Sequence, residues 1–229
     1  MNIAIILAGG TGTRIGGDIP KQYLRVGNKP VIRYCLDTCF DSEEIDAVHI
    51  VAEQHWREFI EEHLPEGNRR KWKGFSEPGE TRQLSIWNAL SDMAGYAGAG
   101  DAVFIHDAAR PLLSGELLRR CLQSVKGHDG VLPVLPMKDT VYYSENGRSV
   151  SRLLDRSSIY AGQAPEVFVY GKYYEANRAL FPEKIKSING STEPAVMAGM
   201  DVVMIDGEEN NFKITTQADL EKFRRITEG

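Results

Sequence analysis

Short apolar runs and longer amphipathic stretches alternate along this chain, and their spacing predicts alternating strands and helices. A short continuous apolar run is typical of a strand that is buried on both faces of a sheet. Such runs predict strands over about 2–8, 46–51, 101–105, 130–134 and 202–205. Apolar positions three or four residues apart indicate amphipathic helices. These helices are predicted over about 30–40, 54–63, 81–94, 114–126, 171–180 and from 217 onwards.

Repeated strand–helix units predict the fold class. Because each helix carries the chain back to the start of the next strand, such units form a mostly parallel sheet with helices on both faces. We expect a three-layer α/β fold. Residues 1–229 suit one domain, since a chain of 229 residues fits a single large α/β domain and this one contains no repeats or low-complexity segments.

The strand–helix alternation is interrupted between about residues 137 and 160. Residues 140–143 and 150–153 favour strands, and the polar turn at 145–148 joins them, which is typical of a β-hairpin. A hairpin that leaves a parallel sheet often serves as an oligomerisation arm. We therefore expect residues 137–160 to form such an arm.

Composition and charge narrow the classes of function. The net charge of −5 disfavours a general nucleic-acid binder, which is usually basic. Cys35, Cys39 and Cys121 include no CxxC pair, which favours a reduced, cytoplasmic setting. Cys35 and Cys39 lie four residues apart on a predicted helix and are interpreted as core. The apolar start is about one strand long without a basic leader, so we expect neither a signal peptide nor a membrane span.

The candidate chemistry begins where the first strand ends. The strand opens into the glycine-rich run Leu7-Ala8-Gly9-Gly10-Thr11-Gly12-Thr13-Arg14-Ile15-Gly16. Glycines let the backbone approach a phosphate and present several amide donors in a small arc. Arg14 and Lys21 add cations suited to phosphate oxygens. The spacing excludes a P-loop, and Ile15 stands where a dinucleotide fingerprint needs a glycine. The loop is predicted to hold a nucleoside triphosphate.

The sequence HDAARP at 106–111 follows a buried strand, at the edge where open α/β sheets bind ligands. Asp107 suits Mg²⁺ held against phosphates, and Arg110 suits a phosphate of a second substrate. A surface ion pair between these two residues fits the sequence equally well. His106 is interpreted as a structural hydrogen-bonding residue. Lys213, between Phe212 and Ile214, either reaches a phosphate or is solvated.

Two further segments carry weaker signals. Residues 79–85 open a helix, where backbone groups and the Ser85 hydroxyl can read a base edge; an ordinary helix start is the alternative. Arg156 closes the hairpin excursion and is either a ligand-binding residue or an exposed surface charge.

Together these segments resemble one family, the cytidylyltransferases that activate sugar-alcohol phosphates with CTP. One branch makes CDP-methylerythritol for isoprenoid synthesis, and another makes CDP-ribitol for wall polymers. The resemblance covers nearly the whole chain. It is carried by LAGGTGTRIG at 7–16, PKQYL at 20–24, GETRQLS at 79–85, HDAARP at 106–111, KDT at 138–140, DR at 155–156 and NFKITT at 211–216. It implies a Rossmann-like nucleotidyltransferase fold and a Mg²⁺-dependent reaction that releases pyrophosphate.

The resemblance also implies roles for individual residues. The catalytic set would be Arg14, Lys21, Lys213 and Arg156. The residues in contact with CTP would be Leu7, Ala8, Gly9, Gly10, Thr11, Gly12, Thr13, Arg14, Lys21, Gly79, Glu80, Arg82, Ser85 and Asp107. The residues in contact with the polyol phosphate would be Asp107, Arg110, Thr140, Arg156, Thr192 and Lys213, with Asp107 also binding the metal. Thr140 and Arg156 lie on the arm, which in the family crosses a homodimer to complete the partner's site.

The chain departs from the family in the acceptor region. Ala164-Pro165-Glu166 stands where the family usually has Thr-Pro-Gln, and Thr192-Glu193-Pro194 replaces Thr-Asp-Asp or Thr-Asp-Glu. The opening LAGG and the sequence at 160–163 resemble the ribitol-phosphate branch, so we favour D-ribitol 5-phosphate as the acceptor. The alternatives are the methylerythritol 4-phosphate enzyme, a sugar-1-phosphate nucleotidyltransferase that uses another base, and a catalytically silent nucleotide-binding module.

Overall fold

The computed structural model describes residues 1–10 and 19–228, and strands alternate with helices along most of that length. The strands are β1 (Asn2–Leu7), β2 (Arg25–Val26), β3 (Lys29–Pro30), β4 (Ala47–Val51), β5 (Trp72–Ser76), β6 (Ala102–Asp107), β7 (Gly130–Pro136), β8 (Val141–Tyr143), β9 (Arg152–Leu154), β10 (Tyr160–Gly162), β11 (Glu166–Val169) and β12 (Val202–Asp206). The α-helices are α1 (Val31–Asp41), α2 (Gln54–Glu62), α3 (Arg82–Asp92), α4 (Gly115–Ser124), α5 (Tyr170–Arg178), α6 (Glu193–Met197) and α7 (Gln217–Glu228).

The main sheet has eight strands in the order β10-β7-β11-β6-β1-β4-β5, with β12 also paired to β7. β1 pairs in parallel with β4 and β6, β4 pairs in parallel with β5, and β12 runs parallel to β7. The predicted mostly parallel α/β fold is confirmed. Because β1, β4, β5 and β6 all end at the same edge of the sheet, the loops that follow them converge there.

The first strand shows why helices cover both faces of the sheet. Ala4 and Ile6 belong to a hydrophobic layer that includes side chains of α1, α2 and α4. Ile3 and Ile5 belong to a second layer, which includes side chains of α3 and α5. All four side chains are fully buried. A strand with apolar residues at every position is stable only between two such layers.

Three strands of the main sheet, β5, β10 and β11, are not predicted by the apolar pattern. Lys73 and Gly74 interrupt the pattern in β5, and β11 is only four residues long and follows Pro165. β11 also runs antiparallel, between β6 and β7. Its first residue, Glu166, therefore lies beside the end of β6, where it is paired with Ile105. The central part of the sheet is thus mixed rather than purely parallel.

The interruption of the strand–helix alternation contains the expected hairpin. β8 and β9 pair antiparallel and form a small sheet of their own. Two apolar side chains on them are largely in solvent, Tyr142 at 58% and Leu153 at 64% exposure. The chain then returns as β10, which pairs antiparallel with the end of β7, placing Tyr160 opposite Pro136. The hairpin therefore leaves the main sheet and re-enters it at one place.

The three cysteines are free and buried, as expected for a reduced protein. Cys35 and Cys39 belong to the hydrophobic layer around α1, which confirms that they are core residues. Burial raises the pKa of Cys39 and of Cys121 to about 12, so neither thiol ionises readily. Across residues 1–10 and 19–228, we find no helix with the length and apolar character needed to span a bilayer.

Candidate active site

A cleft of about 680 Å³ lies where the parallel strands end. It is bounded by the residues after β1, by the segment between β5 and α3, and by the end of β6. Its lining consists of Leu7, Gly9, Gly10, Lys21, Gln22, Glu53, Pro78, Gly79, Glu80, Thr81, Arg82, Ser85, Asp107, Ala109 and Lys213. The edge of the sheet that the sequence indicated is therefore the edge that carries the cleft.

The start of the glycine-rich run is braced from behind by the PKQYL segment. The Gln22 side-chain amide donates to the carbonyls of Ala8 at 2.6 Å and Gly10 at 2.7 Å. The Tyr23 hydroxyl donates to the same Ala8 carbonyl at 2.9 Å. With these carbonyls held, the backbone after β1 has a fixed path into the cleft. Lys21, which precedes Gln22, is 9% exposed and lines the cleft.

Four predicted CTP contacts, Thr11, Gly12, Thr13 and Arg14, lie outside the described residues.

One side of the cleft is formed by residues 78–81, which we call the glycine wall. A Cβ on Gly79 would lie 2.3 Å from Leu84 Cβ and 2.8 Å from the Leu84 carbonyl carbon, so the chain passes α3 at a distance that only glycine permits. The Gly79 amide donates to Ser85 Oγ at 3.0 Å, and that hydroxyl donates to the Thr81 carbonyl at 3.0 Å. Ser85, which is predicted to contact CTP, lines the cleft and also makes these two internal bonds.

The glycine wall and the run after β1 are also in close contact. A Cβ on Gly9 would lie 2.4 Å from Pro78 Cβ. Thr81 caps α3 by accepting from the Leu84 amide at 3.2 Å. The two segments that line this side of the cleft therefore lie close together, and their peptide groups suit recognition of a flat ring.

Beside the glycine wall lies a cluster of charges that we call the ionic wall: Asp107, Arg110, Lys213, Arg82 and Glu166. Asp107 ends β6 and is 6% exposed. Its Oδ1 accepts from Arg82 Nε at 3.1 Å, and its Oδ2 accepts from Arg110 Nε at 3.3 Å and lies 3.0 Å from Lys213 Nζ. One carboxylate thus organises three cations from three different segments.

Arg82 also bonds to two other segments, the start of β11 and the segment before Thr192. Its Nη2 donates to Glu166 Oε2 at 3.2 Å and its Nη1 to Ser191 Oγ at 2.6 Å. The Tyr173 hydroxyl donates to the Ser191 carbonyl at 2.7 Å, which fixes the segment before Thr192. With two carboxylates and three cations, the ionic wall keeps a formal excess of one positive charge.

The charges of the ionic wall set the protonation of its members. Burial acts to raise the pKa of Asp107, but Arg82, Lys213 and Arg110 outweigh it and hold this pKa well below the usual range. Asp107 is therefore ionised at any physiological pH. Burial lowers the pKa of His106 to about 4, and its Nε2 bonds to the Arg110 carbonyl at 2.9 Å. This neutral imidazole agrees with the structural role expected for His106.

The structure brings most of the predicted site residues together. Those that line the cleft are Leu7, Gly9, Gly10, Lys21, Gly79, Glu80, Arg82, Ser85, Asp107 and Lys213. Arg110 joins through Asp107, and its Nη1 donates to the Asn211 carbonyl at 2.8 Å. Thr192 follows Ser191, and its buried hydroxyl has no hydrogen-bond partner among the described residues.

Two predicted residues lie elsewhere. Thr140 and Arg156 are exposed on the arm and are not part of the lining of this chain's cleft. Arg156 donates to the Lys138 carbonyl at 2.6 Å, which fixes the base of the arm.

Several residues of the cleft are missing from the sequence prediction. Gln22 and Glu53 line it, and Glu166 and Ser191 hold Arg82. For Gln22 the signal was the PKQYL segment itself, in which only the lysine was assigned a role. Glu166 and Ser191 carry no local signal, because the antiparallel direction of β11 and the path of the 190–192 segment bring them to the site.

The donor set suits a metal ion that is bound mainly by phosphate. Within residues 1–10 and 19–228, no group of three or more His, Cys, Asp or Glu side chains could hold a metal ion. Asp107 is the carboxylate that the ionic wall presents to the cleft, and Mg²⁺ commonly binds through one or two carboxylates, substrate phosphates and water. Both oxygens of Asp107 are engaged by Arg82, Arg110 and Lys213, so the ionic wall offers at most this one shared carboxylate to a Mg²⁺ ion that phosphate would hold.

Comparison with known proteins agrees with this arrangement. A family model described as 2-C-methyl-D-erythritol 4-phosphate cytidylyltransferase (IspD) matches residues 2–228. The chain is 32% identical to a ribitol-5-phosphate cytidylyltransferase of Vibrio parahaemolyticus, over 99% of this chain and 95% of that protein. It is 33% identical to a 2-C-methyl-D-erythritol 4-phosphate cytidylyltransferase of Clostridium tetani, over 96% of this chain and 87% of that protein.

The fold is similar to that of solved structures as well. The crystal structure of the Francisella tularensis 2-C-methyl-D-erythritol 4-phosphate cytidylyltransferase superposes with a TM-score of 0.81 at 26% identity, covering 98% of each chain. Both named activities therefore occur among proteins similar to this one.

Proposed function

The chain belongs to the IspD family of cytidylyltransferases, and on that premise we propose that it transfers CMP from CTP to a polyol phosphate, with D-ribitol 5-phosphate as the acceptor. The observation that carries the proposal is the pairing of a glycine wall with an ionic wall in one cleft. The first suits a base, and the second suits phosphates. The ribitol assignment is supported by the LAGG opening, by residues 160–163 and by the Vibrio parahaemolyticus relative.

In this proposal CTP lies along the glycine-rich run with its base against the glycine wall. Backbone groups near Ala8 and Gly9, together with Gly79, Glu80 and Ser85, recognise cytosine. Lys21 and Arg14 bind the triphosphate, and Arg82 helps to orient the ionic wall beside it. The bracing by Gln22 supports this assignment, because backbone donors recognise a ligand well only when they are already fixed.

The acceptor phosphate binds at the ionic wall, against Arg110 and Lys213. The carboxylate of Asp107 holds these two cations in place, so that their positions are set before the substrate arrives. We assign Thr192 to the acceptor side because it follows Ser191, whose hydroxyl accepts from Arg82. The departures at Ala164 and Glu166 fall on this side as well, so they concern the acceptor and not the nucleotide.

The reaction needs charge alignment more than proton transfer. A phosphomonoester oxygen of the acceptor attacks the α-phosphorus of CTP, a new P–O bond forms, and the bond to pyrophosphate breaks. The attacking oxygen is already anionic near neutral pH, so no strong general base is required. Lys21, Arg14 and Lys213 bring two mutually repelling phosphates together and stabilise the charge that develops. Mg²⁺, which we propose enters with CTP, screens charge on the triphosphate.

We further propose that the chain is a homodimer held by the arm of residues 137–160. The exposed apolar side chains on β8 and β9 support this, since such groups are usually covered in an assembly. Thr140 and Arg156 would then complete the site of the partner subunit. CTP as substrate and three free buried thiols support a cytoplasmic location.

The first test is pyrophosphate release from CTP and Mg²⁺, with ribitol 5-phosphate and methylerythritol 4-phosphate compared as acceptors. A higher kcat/KM for ribitol 5-phosphate supports the proposal, and a higher value for methylerythritol 4-phosphate replaces it with the isoprenoid branch. A comparison of CTP, UTP and GTP tests the base. Nucleotide binding without pyrophosphate release over a broad acceptor panel would indicate a silent binding module.

Shared sites are tested by mixing two inactive variants. Lys21→Ala should lower turnover by about two to four orders of magnitude, because it removes a charge from the triphosphate. If Arg156 serves the partner's site, mixed dimers of Lys21→Ala and Arg156→Ala subunits contain one intact site and regain activity. No recovery after proven subunit exchange contradicts the shared site.

A further inference from the structure

Behind the glycine wall, four side chains form a continuous chain of hydrogen bonds. The Tyr96 hydroxyl lies 3.1 Å from His49 Nδ1, and His49 Nε2 lies 2.8 Å from Ser76 Oγ. Ser76 Oγ in turn donates to Asp92 Oδ2 at 2.6 Å. His49 is 3% exposed and Ser76 is 1% exposed, so water does not replace these bonds. None of the four residues lines the cleft.

The Asp92 end of this chain determines which group donates in each hydrogen bond. Ser76 has one hydroxyl hydrogen and gives it to the Asp92 carboxylate, so its bond to His49 must be one that it accepts. His49 therefore carries its proton on Nε2. Its Nδ1 is then an acceptor, and the Tyr96 hydroxyl donates to it. Burial lowers the pKa of His49 to about 4, which agrees with the neutral form that this arrangement requires.

An inner member of this chain, Ser76, lies just before the glycine wall. Ser76 is the last residue of β5, and only Glu77 separates it from residues 78–81. The Ser76 carbonyl accepts from the Ala52 amide at 3.1 Å, which ties the same residue to the segment after β4. Two further bonds hold the next residue, Glu77: Asn88 donates to its carbonyl at 2.9 Å and Arg57 to its carboxylate at 2.5 Å. The buried chain thus fixes one end of the segment whose backbone faces the cleft.

We propose that His49 is a positioning residue for base recognition, acting through Ser76 on the backbone of the glycine wall. This inference rests on the proposed function, in which that wall reads cytosine. Cytosine and uracil differ in the hydrogen-bonding pattern of one edge, so peptide groups discriminate between them only when their positions are closely fixed. Loss of the two His49 ring bonds leaves the Tyr96 hydroxyl without this partner and leaves Ser76 Oγ bonded to Asp92 alone, which loosens the start of the glycine wall.

The test compares variants along the chain by their selectivity, which is kcat/KM for CTP divided by kcat/KM for UTP. His49→Phe should lower this ratio about tenfold, because both ring bonds are lost. His49→Gln keeps a side-chain N–H that can reach Ser76 and should restore most of the ratio. Tyr96→Phe removes only the outermost bond and should lower the ratio about twofold to threefold. KM for the acceptor should stay within twofold throughout.

Tyr170→Phe is the matched control. It also removes a buried tyrosine hydroxyl bonded to the α3 region, since Tyr170 donates to the Leu90 carbonyl at 3.0 Å, but it leaves the chain to Ser76 intact. Its selectivity should equal that of the unaltered protein. Two outcomes would overturn the proposal. One is an equal loss of kcat/KM for CTP and for UTP in His49→Phe, and the other is a selectivity ratio in His49→Gln as low as that in His49→Phe.

Two physical readouts separate this inference from the proposed function. Nitrogen NMR of the imidazole should show the proton on Nε2, and a proton on Nδ1 contradicts the chain. Hydrogen exchange at the Gly79 amide should be faster in His49→Phe and unchanged in Tyr170→Phe; equal protection in both contradicts it. If the unaltered protein shows no preference for CTP, the proposed function fails, while the exchange data still decide whether His49 fixes the wall.

Discussion

The glycine wall is held by backbone contacts, whereas the ionic wall is held by side-chain charges. In the first, Gly79 allows a close approach to Leu84, and Ser85 ties the segment to itself. In the second, Asp107 accepts from three cations that arrive from separate parts of the chain. A base is recognised by fixed peptide groups and phosphates by fixed charges, so the two walls match the two kinds of ligand that the proposed reaction brings together.

This contrast between the two walls also predicts that changes in each wall affect a different kinetic constant. The glycine wall should contribute mainly to binding of CTP, and changes there should raise KM. The ionic wall faces the reacting phosphates, so changes there should lower kcat. The following predictions test that division, beginning with the largest effect.

Removal of one charge from the ionic wall should have the largest effect on rate. Lys213→Ala should lower kcat by about two to four orders of magnitude with a much smaller change in KM for CTP, because the cation acts on charge that develops in the reaction. Lys213→Arg should retain part of the rate. Steady-state kinetics measure both constants, and Lys73→Ala, at an exposed position on β5, is the control. A raised KM with normal kcat contradicts the division.

Removal of the organising carboxylate should mainly affect stability. Asp107→Asn removes the buried carboxylate that Arg82, Arg110 and Lys213 share and leaves Glu166 alone to balance them, which we expect to lower the free energy of unfolding by about 3 kcal/mol. Urea unfolding measures the change. Ser85→Ala, at the glycine wall, removes one neutral acceptor and should cost only about 1 kcal/mol. Similar losses of unfolding free energy in the two variants would show that charge does not stabilise the ionic wall more than neutral hydrogen bonds stabilise the glycine wall.

Each wall also rests on one buried neutral histidine, which predicts a shared loss of stability in acid. Burial lowers the pKa of His49, behind the glycine wall, and of His106, beside the ionic wall, to about 4. Between about pH 6.5 and about pH 4 these two histidines are protonated in the unfolded chain but neutral in the folded protein. The free energy of unfolding therefore falls as the pH decreases over that range. Each histidine should contribute about 3 kcal/mol to this loss.

The two contributions can be separated by substitution. His49→Gln should remove about half of the pH dependence of unfolding over that range. An unaltered pH dependence in His49→Gln would mean that this histidine titrates alike in the folded and unfolded states.

The smallest effect is expected from a methyl group on the glycine wall. Gly79→Ala forces the segment away from Leu84 and should raise KM for CTP about tenfold to a hundredfold, with kcat and KM for the acceptor within about threefold. Gly115→Ala adds a methyl group where nothing lies within 4 Å and is the control. An equal loss in kcat would show that this wall also takes part in the chemical step.

The sequence predicts the parallel part of the fold and the half of the site that depends on it. Lys21, Asp107 and Lys213 meet because each follows a strand or loop at one edge of the sheet, and that edge can be inferred from the alternation of strands and helices. The strand β11 is different. Four residues after a proline carry little periodicity, and no local pattern states that a strand runs antiparallel.

The consequence for the site is specific. Glu166 is a buried carboxylate of the ionic wall only because β11 starts at the cleft edge. Ser191 reaches Arg82 through the path of an irregular segment held by Tyr173. Thr140 and Arg156 were assigned from a resemblance that includes a second subunit, and their place in one chain is on the arm. Local residue patterns do not predict contacts that depend on strand direction, on irregular segments or on a partner subunit.

The hairpin leaves the main sheet after Pro136 and returns opposite it at Tyr160. Because departure and return are neighbours, the tip between them can lengthen, shorten or change its residues while the strands that carry the cleft keep their register. In the proposed homodimer, the residues of the arm that contact the partner subunit can therefore change during evolution without changing the residues of the cleft. Two descendants of such a gene in one cell can thus come to avoid each other while both keep the same reaction.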